Sequence, residues 1–375
     1  RIAVIEAQPP EVGAARRQAY AMSLLSGRIF AGIGVWPEIR PQITAFQQVR
    51  LSDADYPQVV TFNPKDLNTE AVYYAAEHQV LMRALQNFLQ QCPAVSYLCP
   101  ATVVDVDYQA DGVQLQVETD AARRSIRARL LVAADGARSP MRQQAGIQTS
   151  GWKYWQSCIT ATVRPEQSHQ NTAYERFWPS GPFAVLPLPN NRCQFVWTAP
   201  HAEAEAMMAL DPEHFMTELS RRYGHQMGRL TLESEPRLFR VQLMQSRRYA
   251  LPRLALVGDA AHCCHPVGGQ GLNLGIRDAA ALAQVLQTAH RCGHDVGSLK
   301  VLRRYERWRQ RENLITLGFT DFLDRCFSNN WLPLVIIRRL GLWMMQTIQP
   351  LKCLMLRLMT GLTGRLPELA RRCLM

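Results

Sequence analysis

The stretch LALVGDAAHCCHPVGGQGLNLGIRDAAAL, residues 254–282, constrains the fold more than any other part of the sequence. It opens with four consecutive apolar residues, 254–257, which are typical of a strand buried on both faces, and Gly258-Asp259 ends this run. A cluster of glycines follows, and from Leu272 the apolar residues recur at helical spacing. The stretch therefore predicts a strand, a glycine loop and a helix, the unit from which α/β folds are built.

A glycine loop at the start of a helix has a characteristic chemistry. Glycines let the backbone approach a ligand closely, and the first free amides of the helix carry a partial positive charge. This end of the helix therefore suits an electron-rich ring or a phosphate. Asp259 would repel a phosphate, so a hydroxyl-rich chain, such as a ribityl chain beside a pyrophosphate, is a better partner for it. On these residues alone, an ordinary strand-loop-helix corner is an equal alternative.

The order of residues here resembles the second flavin motif of the aromatic-ring hydroxylases with the p-hydroxybenzoate hydroxylase fold. GDAAH, then HP, then GGQGLNLGIRDA carry the resemblance, which is greatest to the UbiH/UbiF group that hydroxylates polyprenylated phenols on the way to ubiquinone and related quinones. It implies that Asp259 holds the ribityl and pyrophosphate part of FAD and that the following residues lie along the isoalloxazine. The FAD contacts expected here are Gly258, Asp259, Pro266, Gly268, Gly269, Gln270, Gly271, Leu272 and Asn273.

The N-terminal run RIAVIE is a β-rich segment that ends in an acid. Such a pattern is typical of the second strand of a dinucleotide-binding unit, where the carboxylate accepts hydrogen bonds from ribose hydroxyls, so Glu6 is the candidate adenosine ligand. A surface turn is the alternative. The family has a first strand and a GxGxxG turn about 30 residues upstream. We therefore expect the sequence to be a fragment that lacks the first βα unit.

Three further segments resemble cofactor-binding parts of the family. AARRQAYAMSLLSGRIFAGIGVW, residues 14–36, predicts a helix that enters a loop, with Arg17 as the FAD contact; a solvated helix face is the alternative. The backbone at Val103 is expected to border the adenine. A strand before Asp135-Gly136 resembles the DG motif, which implies that Asp135 organises the loop and Arg138 faces a cofactor phosphate; a turn with a structural salt bridge is the alternative.

Between residues 151 and 249, short runs of aromatic and β-branched residues alternate with Pro, Gly and Asn. They predict a separate sheet inserted into the cofactor domain. Its segment GPFAVLPLPNNR resembles the part of the family that faces the flavin across the active site. The resemblance implies an apolar wall for the aromatic ring and part of a prenyl chain, although plain core packing is the alternative for each residue. The expected substrate-pocket residues are Phe183, Val185, Leu186 and Pro187.

Charge and cysteine usage narrow the class of protein. The ten cysteines are scattered without a CxxC pair, and the Cys-Cys-His run at residues 263–265 lacks partners at zinc spacing, so we expect reduced thiols in a cytoplasmic setting and no metal.

Much of the net charge of +11 lies in the C-terminal region, without the stacking aromatics or known module that nucleic-acid binding would require. The apolar residues between 331 and 358, flanked by arginines, predict a helix in a bilayer interface and thus a peripheral membrane protein. A helical cap or an oligomer contact is the alternative, and no run reaches the roughly 18 apolar residues that a spanning helix needs.

The sequence thus predicts an α/β protein of three parts. These are a Rossmann-like FAD-binding domain (1–150 and 250–290), an inserted mixed or antiparallel β-sheet domain for the substrate (151–249), and a C-terminal helical region (291–375). The resemblance implies a monooxygenase that uses FAD, NAD(P)H and O2, through a flavin C4a-hydroperoxide, to hydroxylate a polyprenylated phenol in ubiquinone or plastoquinone-type biosynthesis. No catalytic acid or base is assigned, and His262 and His265 are candidates for hydrogen bonds within the loop. A flavin-dependent prenyl reductase and a non-catalytic membrane-associated subunit of a quinone-synthesis complex are the alternatives.

Overall fold

The computed structural model describes residues 1–9, 11–12, 16–54, 56–224 and 226–371. Residues 10, 13–15, 55, 225 and 372–375, which the predicted ranges above include, lie outside this description. The strands are β1 (Ile2–Ile5), β2 (Ala19–Ser23), β3 (Thr44–Ala45), β4 (Gln48–Asp53), β5 (Val59–Phe62), β6 (Tyr73–Glu77), β7 (Val95–Leu98), β8 (Ala101–Tyr108), β9 (Val113–Thr119), β10 (Arg123–Ala128), β11 (Leu131–Ala133), β12 (Thr149–Pro165), β13 (Thr172–Trp178), β14 (Gly181–Leu188), β15 (Arg192–Pro200), β16 (Leu230–Leu232), β17 (Arg237–Ser246), β18 (Ala250–Leu251), β19 (Leu254–Leu256) and β20 (His262–Cys263).

Helices occupy the segments between the strands and most of the C-terminal region. The α-helices are α1 (Leu24–Ile33), α2 (Trp36–Ile39), α3 (His78–Gln90), α4 (Pro140–Gln144), α5 (His201–Met208), α6 (Pro212–Tyr223), α7 (Gln270–Arg291), α8 (Leu299–Phe327), α9 (Leu332–Thr347), α10 (Gln349–Thr360) and α11 (Glu368–Arg371). Within the described residues, none of these helices is both long and apolar enough to cross a bilayer.

Most of the strand residues form one large sheet. Its order is β20-β17-β12-β15-β14-β13-β4-β5, and β16 pairs with β12 beside this path. Neighbouring strands are antiparallel, except that β13 and β4 are parallel. The sheet is therefore mixed and mostly antiparallel, as predicted. Residues 48–62 also belong to it, although the sequence-based division placed them in the FAD-binding domain.

The Rossmann-like part consists of smaller sheets. β11 and β19 are parallel neighbours, with Leu131 opposite Leu254, and β18 completes their sheet. β1 pairs in parallel with β7 in a second sheet. Because parallel neighbours end at the same edge, Asp135 and Asp259, which follow β11 and β19, lie at one edge of the first sheet. The strand, glycine loop and helix predicted for residues 254–286 are present as β19, the loop and α7.

The region of residues 14–36 differs from the prediction of a helix. Residues 19–23 form β2, which pairs with β6 in antiparallel register, and the helix α1 begins only at Leu24. Ser23 ends the strand and caps the helix, because its side chain accepts a hydrogen bond from the backbone N–H of Ser26. Pairing with a strand about fifty residues away overrides the local helical pattern here.

Of the helices α9 and α10, here called the C-terminal helices, α9 packs on the β4–β5 hairpin and α10 on the turn at residues 64–66 that follows it. The buried Arg338 lies 2.8 Å from the buried carboxylate of Asp53, and Arg339 donates a hydrogen bond of 3.0 Å to the same carboxylate. On the next helix, Lys352 lies 3.0 Å from Asp66. Arginines were predicted to flank a lipid-facing helix in this region. The structure instead uses these three cations to hold the C-terminal helices against the hairpin and the turn.

Candidate active site

A cavity of about 320 Å³, here called the central cavity, lies between the large sheet, the glycine loop and the helices that follow it. Side chains alternate between the two faces of a strand, so alternate residues of β13 and β14 line the cavity. They are Ala173, Glu175, Phe177, Pro182, Ala184 and Leu186. The facing helices contribute Phe319, Leu323, Leu342, Met345 and Met359. The lining is mainly apolar, so the cavity suits a ligand with a large hydrocarbon surface.

The glycine loop, residues 266–271, forms the wall next to the start of α7. Gly268 and Gly269 have φ values of 68° and 61°, which favour glycine. A Cβ at Gly269 would lie 2.8 Å from the Cβ of Ala21, so β2 excludes a side chain there. Gly269 is the N-cap residue of α7, and in the described part of the chain no side-chain hydrogen bond caps this N-terminus. Its first amides therefore remain available to an electron-rich ligand at the cavity wall.

Two polar side chains predicted to contact FAD also support this loop, and their contact with FAD stays a prediction. Asn273 is buried; its Nδ2 donates to the carbonyls of Gly269 and Ala21, and its Oδ1 accepts from the backbone N–H of Ser23. Gln270 donates to the hydroxyl of Tyr73 and to the carbonyls of Gly268 and Met359. The amide groups of both side chains donate to protein acceptors and fix the backbone of the loop. The buried Oε1 of Gln270 has no hydrogen-bond partner among the described residues.

Asp259 follows β19 and lines the central cavity. Burial raises the pKa of its carboxyl, and His262 offsets part of this rise. Within the described residues, no hydrogen bond or ion pair to this carboxyl is present. Asp259 is exposed at the cavity wall, and an acceptor there without a protein partner is suited to a ligand that donates hydrogen bonds, such as a polyol chain.

A buried polar network lies beneath the loop. His262 Nε2 is 2.6 Å from Asp278 Oδ2, while Arg309 and Asn313 donate to Asp278 Oδ1 at 2.7 and 3.0 Å. Burial alone would raise the pKa of Asp278, but His262 and Arg309 lower it to about 2. The predicted loop hydrogen bond of His262 is thus a contact with helix α7, which anchors the loop to that helix.

His265 occupies the other side of the loop and is fully buried. Its Nδ1 accepts from the backbone N–H of Val267 at 3.2 Å, so Nε2 carries the proton and points toward Gln156 Oε1 at 3.3 Å. Burial lowers the pKa of His265 to about 3, so its imidazole is neutral. Among the described residues, no group of three or more His, Cys, Asp or Glu side chains is placed to hold a metal ion.

The other predicted cofactor residues lie outside the central cavity. Glu6 is exposed and accepts from the backbone N–H of Gln8, and Arg17 is exposed beside the cavity residue Gln18. Asp135 accepts from the backbone N–H of Met141, as expected for a residue that organises its loop, and Arg138 is exposed next to it. Val103 packs in the core against β9 and β11. Their roles toward the adenosine and the phosphates stay predictions.

The predicted substrate wall requires a correction. Leu186 lines the central cavity, but Phe183 and Val185 point to the opposite face of β14 and pack in a separate core with α6. Pro187 is also buried away from the cavity. Side chains alternate along the strand, so Pro182 and Ala184 occupy the cavity positions. Glu175 of β13, which was not among the predicted site residues, also borders the cavity.

Comparison with known proteins places the chain in a family. The family described as an FAD binding domain matches residues 28–312, which is most of the chain. The chain belongs to this family of FAD-binding monooxygenases. FAD is accordingly the cofactor of this flavin monooxygenase, and NAD(P)H is the typical reductant of the family.

Two curated relatives are similar to this flavin monooxygenase over most of its length. The ubiquinone hydroxylase UbiL of Rhodospirillum rubrum is 37% identical over 370 residues, which cover 98% of this chain and 85% of the relative. The 3-demethoxyubiquinol 3-hydroxylase of Escherichia coli is 32% identical over 343 residues, which cover 91% of this chain and 86% of the relative. Both matches support the predicted resemblance to the UbiH/UbiF group.

A solved structure shows the same fold. The p-nitrophenol 4-monooxygenase PnpA of Pseudomonas putida DLL-E4 matches with a TM-score of 0.82 and 20% identity, and the alignment covers 97% of this chain and 92% of that one. At this identity the match establishes the fold alone. The predicted architecture of an α/β flavoprotein with an inserted sheet is therefore confirmed.

The residues present at the central cavity fit FAD. The unpartnered carboxyl of Asp259 suits the ribityl hydroxyls, and the uncapped N-terminus of α7 suits the electron-rich edge of the flavin ring. Because the loop has no room for a side chain at Gly269, its backbone can lie close to a flat ring. When bound, FAD supplies the activation of O2 and the transfer of oxygen to the substrate. The protein supplies binding, orientation and exclusion of water.

Proposed function

We propose that this flavin monooxygenase hydroxylates the aromatic ring of a polyprenylated phenol or quinone precursor in ubiquinone or plastoquinone-type biosynthesis. Two relatives with names that refer to ubiquinone hydroxylation cover most of the chain and support this substrate class. O2 is the second substrate, and NAD(P)H is the electron donor.

The observation that carries the proposal is the composition of the central cavity. The glycine loop forms one wall, with Pro266 and Gly268 at its surface. Phenylalanine, leucine and methionine side chains from the sheet and helices form most of the others, among them Phe177, Leu323 and Met345. An aromatic ring bound there would contact the flavin loop, while hydrocarbon walls would surround a prenyl chain and exclude water.

Product analysis tests the proposed reaction. FAD-loaded enzyme would be incubated with 2-geranylphenol and NADPH, with and without O2, and the products would be identified by mass. The proposal predicts an oxygen-dependent product that carries one added oxygen atom. An anaerobic product with reduced prenyl double bonds would identify a prenyl reductase instead. Failure to bind FAD or to convert any phenol would favour the non-catalytic subunit.

The proposal includes peripheral membrane contact through the C-terminal helices. One face of α9 exposes large apolar side chains at helical spacing, and Trp331 and Leu354 extend this surface. The exposed residues of α9 are Leu332, Ile336, Ile337, Leu340 and Trp343. Exposed arginines lie on neighbouring segments at positions 325 and 357. An apolar helix face with nearby cations is suited to the interface of an anionic bilayer, from which a lipid-soluble substrate could enter.

Liposome sedimentation tests this contact without removing helices that line the cavity. The double variant Ile336→Gln/Leu340→Gln should lose binding to anionic liposomes but retain FAD. Val104→Gln, at another exposed apolar position, is the control and should bind as the wild type does. Unchanged binding of the double variant would contradict the membrane contact. If the wild type does not bind liposomes but the double variant fails to join a quinone-biosynthesis complex, the same face binds a protein partner.

A further inference from the structure

Glu175 is the acidic residue that the large sheet contributes to the central cavity. It lies in the middle of β13, between Ala173 and Phe177, which face the same way. Its cross-strand neighbours are Leu51 on β4 and Ala184 on β14, and both are apolar. An apolar side chain would pack better than a carboxyl group in this position, so packing does not explain why an acid is present here.

The carboxyl of Glu175 has no protein partner. Within the described residues, no hydrogen bond or ion pair to it is present, and Glu175 lines the central cavity. Burial raises its pKa to about 8, and no neighbouring charge compensates for this burial. A buried carboxyl without a partner is costly, so a group in the cavity that exchanges a proton with it would relieve that cost.

Several titratable groups surround the cavity, and none is paired with Glu175. Those that line the cavity on other elements or beside Glu175 are Tyr20, Tyr73, Tyr174, Asp259, Cys263 and Cys264. Cys158 on β12 and Asp324 on α8 lie behind the lining, where Cys158 contacts the hydroxyl of Thr198. Burial raises the pKa values of Tyr20, Tyr73, Cys158, Cys263 and Cys264, so these groups stay neutral near neutral pH.

We propose that Glu175 is a catalytic residue that accepts the proton of the substrate's phenolic hydroxyl. The inference rests on the proposed function, because it assumes a phenol in the central cavity. In the step, the phenolic O–H bond breaks, an O–H bond forms on Glu175, and the electron pair stays on the phenol oxygen. The ring becomes more electron-rich and therefore more reactive toward an electrophilic oxygen.

The surroundings of Glu175 suit this role. A phenolic hydroxyl buried in an apolar cavity needs a hydrogen-bond acceptor, and the carboxylate of Glu175 provides one. A base is most effective when its pKa lies near the working pH, and burial brings Glu175 into that range. General base catalysis of this kind contributes about 10²- to 10⁴-fold, which is the expected loss of kcat/KM in Glu175→Gln.

Proton release on ligand binding tests the role without turnover. Oxidised FAD-loaded enzyme, without a reductant, would be titrated calorimetrically with 2-geranylphenol in two buffers of different ionisation enthalpy. Near pH 7 a carboxyl with a pKa of about 8 is mostly protonated. If the phenol binds to the carboxylate, or gives its proton to it, the wild type releases about 0.9 proton.

Matched controls assign that proton to Glu175. The methyl ether of 2-geranylphenol has no phenolic proton and should release none. Glu175→Gln should bind the phenol without release, and Glu118→Gln, an exposed position on β9, should behave as the wild type does. Equal binding of phenol and ether without release would overturn the role of Glu175. Such a result with intact hydroxylation would leave the proposed function in place, whereas absence of hydroxylation with normal proton release would contradict the proposed function alone.

Discussion

Replacement of Asp259 separates a cofactor ligand from a structural residue. The carboxyl lies at the wall of the central cavity without a protein partner among the described residues, and burial raises its pKa. If it accepts two hydrogen bonds from the ribityl chain, Asp259→Ala loses about 1.5–3 kcal/mol of FAD binding energy. A loss of this size weakens FAD binding by about 10- to 150-fold.

In the protein without FAD, Asp259→Ala should not lower the free energy of unfolding. In the described part of the chain the carboxyl makes no hydrogen bond or ion pair that the substitution would break, and its raised pKa shows that its charged form is disfavoured. The free energy of unfolding of FAD-free protein should therefore stay constant or rise. FAD affinity would be measured by quenching of flavin fluorescence, and stability by urea unfolding, with Asp120→Asn at an exposed position as the control. Unchanged FAD affinity would refute the assignment. A fall in FAD-free stability would show instead that Asp259 has a structural role.

Three further substitutions test the loop, the C-terminal helices and the cavity carboxyl. Gly269→Ala should weaken FAD binding and Gly293→Ala should not, because both glycines have positive φ but only the first would clash with a neighbour; a fluorescence titration that finds equal effects would contradict this. Asp53→Asn removes the ion-pair partner of the buried Arg338 and should cost about 3–5 kcal/mol in urea unfolding, so a loss well under 1 kcal/mol would contradict the anchoring role. Because burial raises the pKa of Glu175 from 4.5 to about 8, the wild type should lose stability as pH rises between those values, and thermal unfolding of Glu175→Gln should lack this loss.

The cofactor loop could be predicted from sequence because its signals are local. A short apolar run, an Asp-containing turn, a glycine cluster and a helical pattern follow one another within residues 254–286, and the structure forms β19, the loop and α7 in that order. The support of the loop could not be predicted in the same way. Asn273 and Gln270 contact β2, β6 and α10, which are distant in sequence, so their side-chain partners depend on the tertiary fold.

The substrate wall shows a different limit of sequence analysis. Both faces of β14 are buried, one against the central cavity and one against α6, so the strand has no polar face to mark which residues point outward. The choice of Phe183 and Val185 over Pro182 and Ala184 therefore had no physical signal to guide it. Glu175 was missed for the converse reason. A lone acid in a strand is typical of a solvent-facing position, and only the packing of helices over the sheet encloses it.

The C-terminal helices illustrate the same dependence on distant contacts. Arginines beside apolar residues predicted a lipid-facing helix, but Arg338 and Lys352 are buried against Asp53 and Asp66, which lie almost 300 residues earlier. The apolar face that remains exposed on α9 keeps the membrane proposal in place. It is the pattern of exposed apolar side chains, rather than the count of cations, that carries it.

The central claim is that this chain uses FAD to place one oxygen atom from O2 on the ring of a polyprenylated phenol. The most direct measurement is the isotopic composition of the product formed by FAD-loaded enzyme from 2-geranylphenol and NADPH under isotopically labelled dioxygen. We expect a ring-hydroxylated product that carries one labelled oxygen atom. An unlabelled hydroxyl group, which would come from water, or NADPH consumption without any ring hydroxylation, would contradict it.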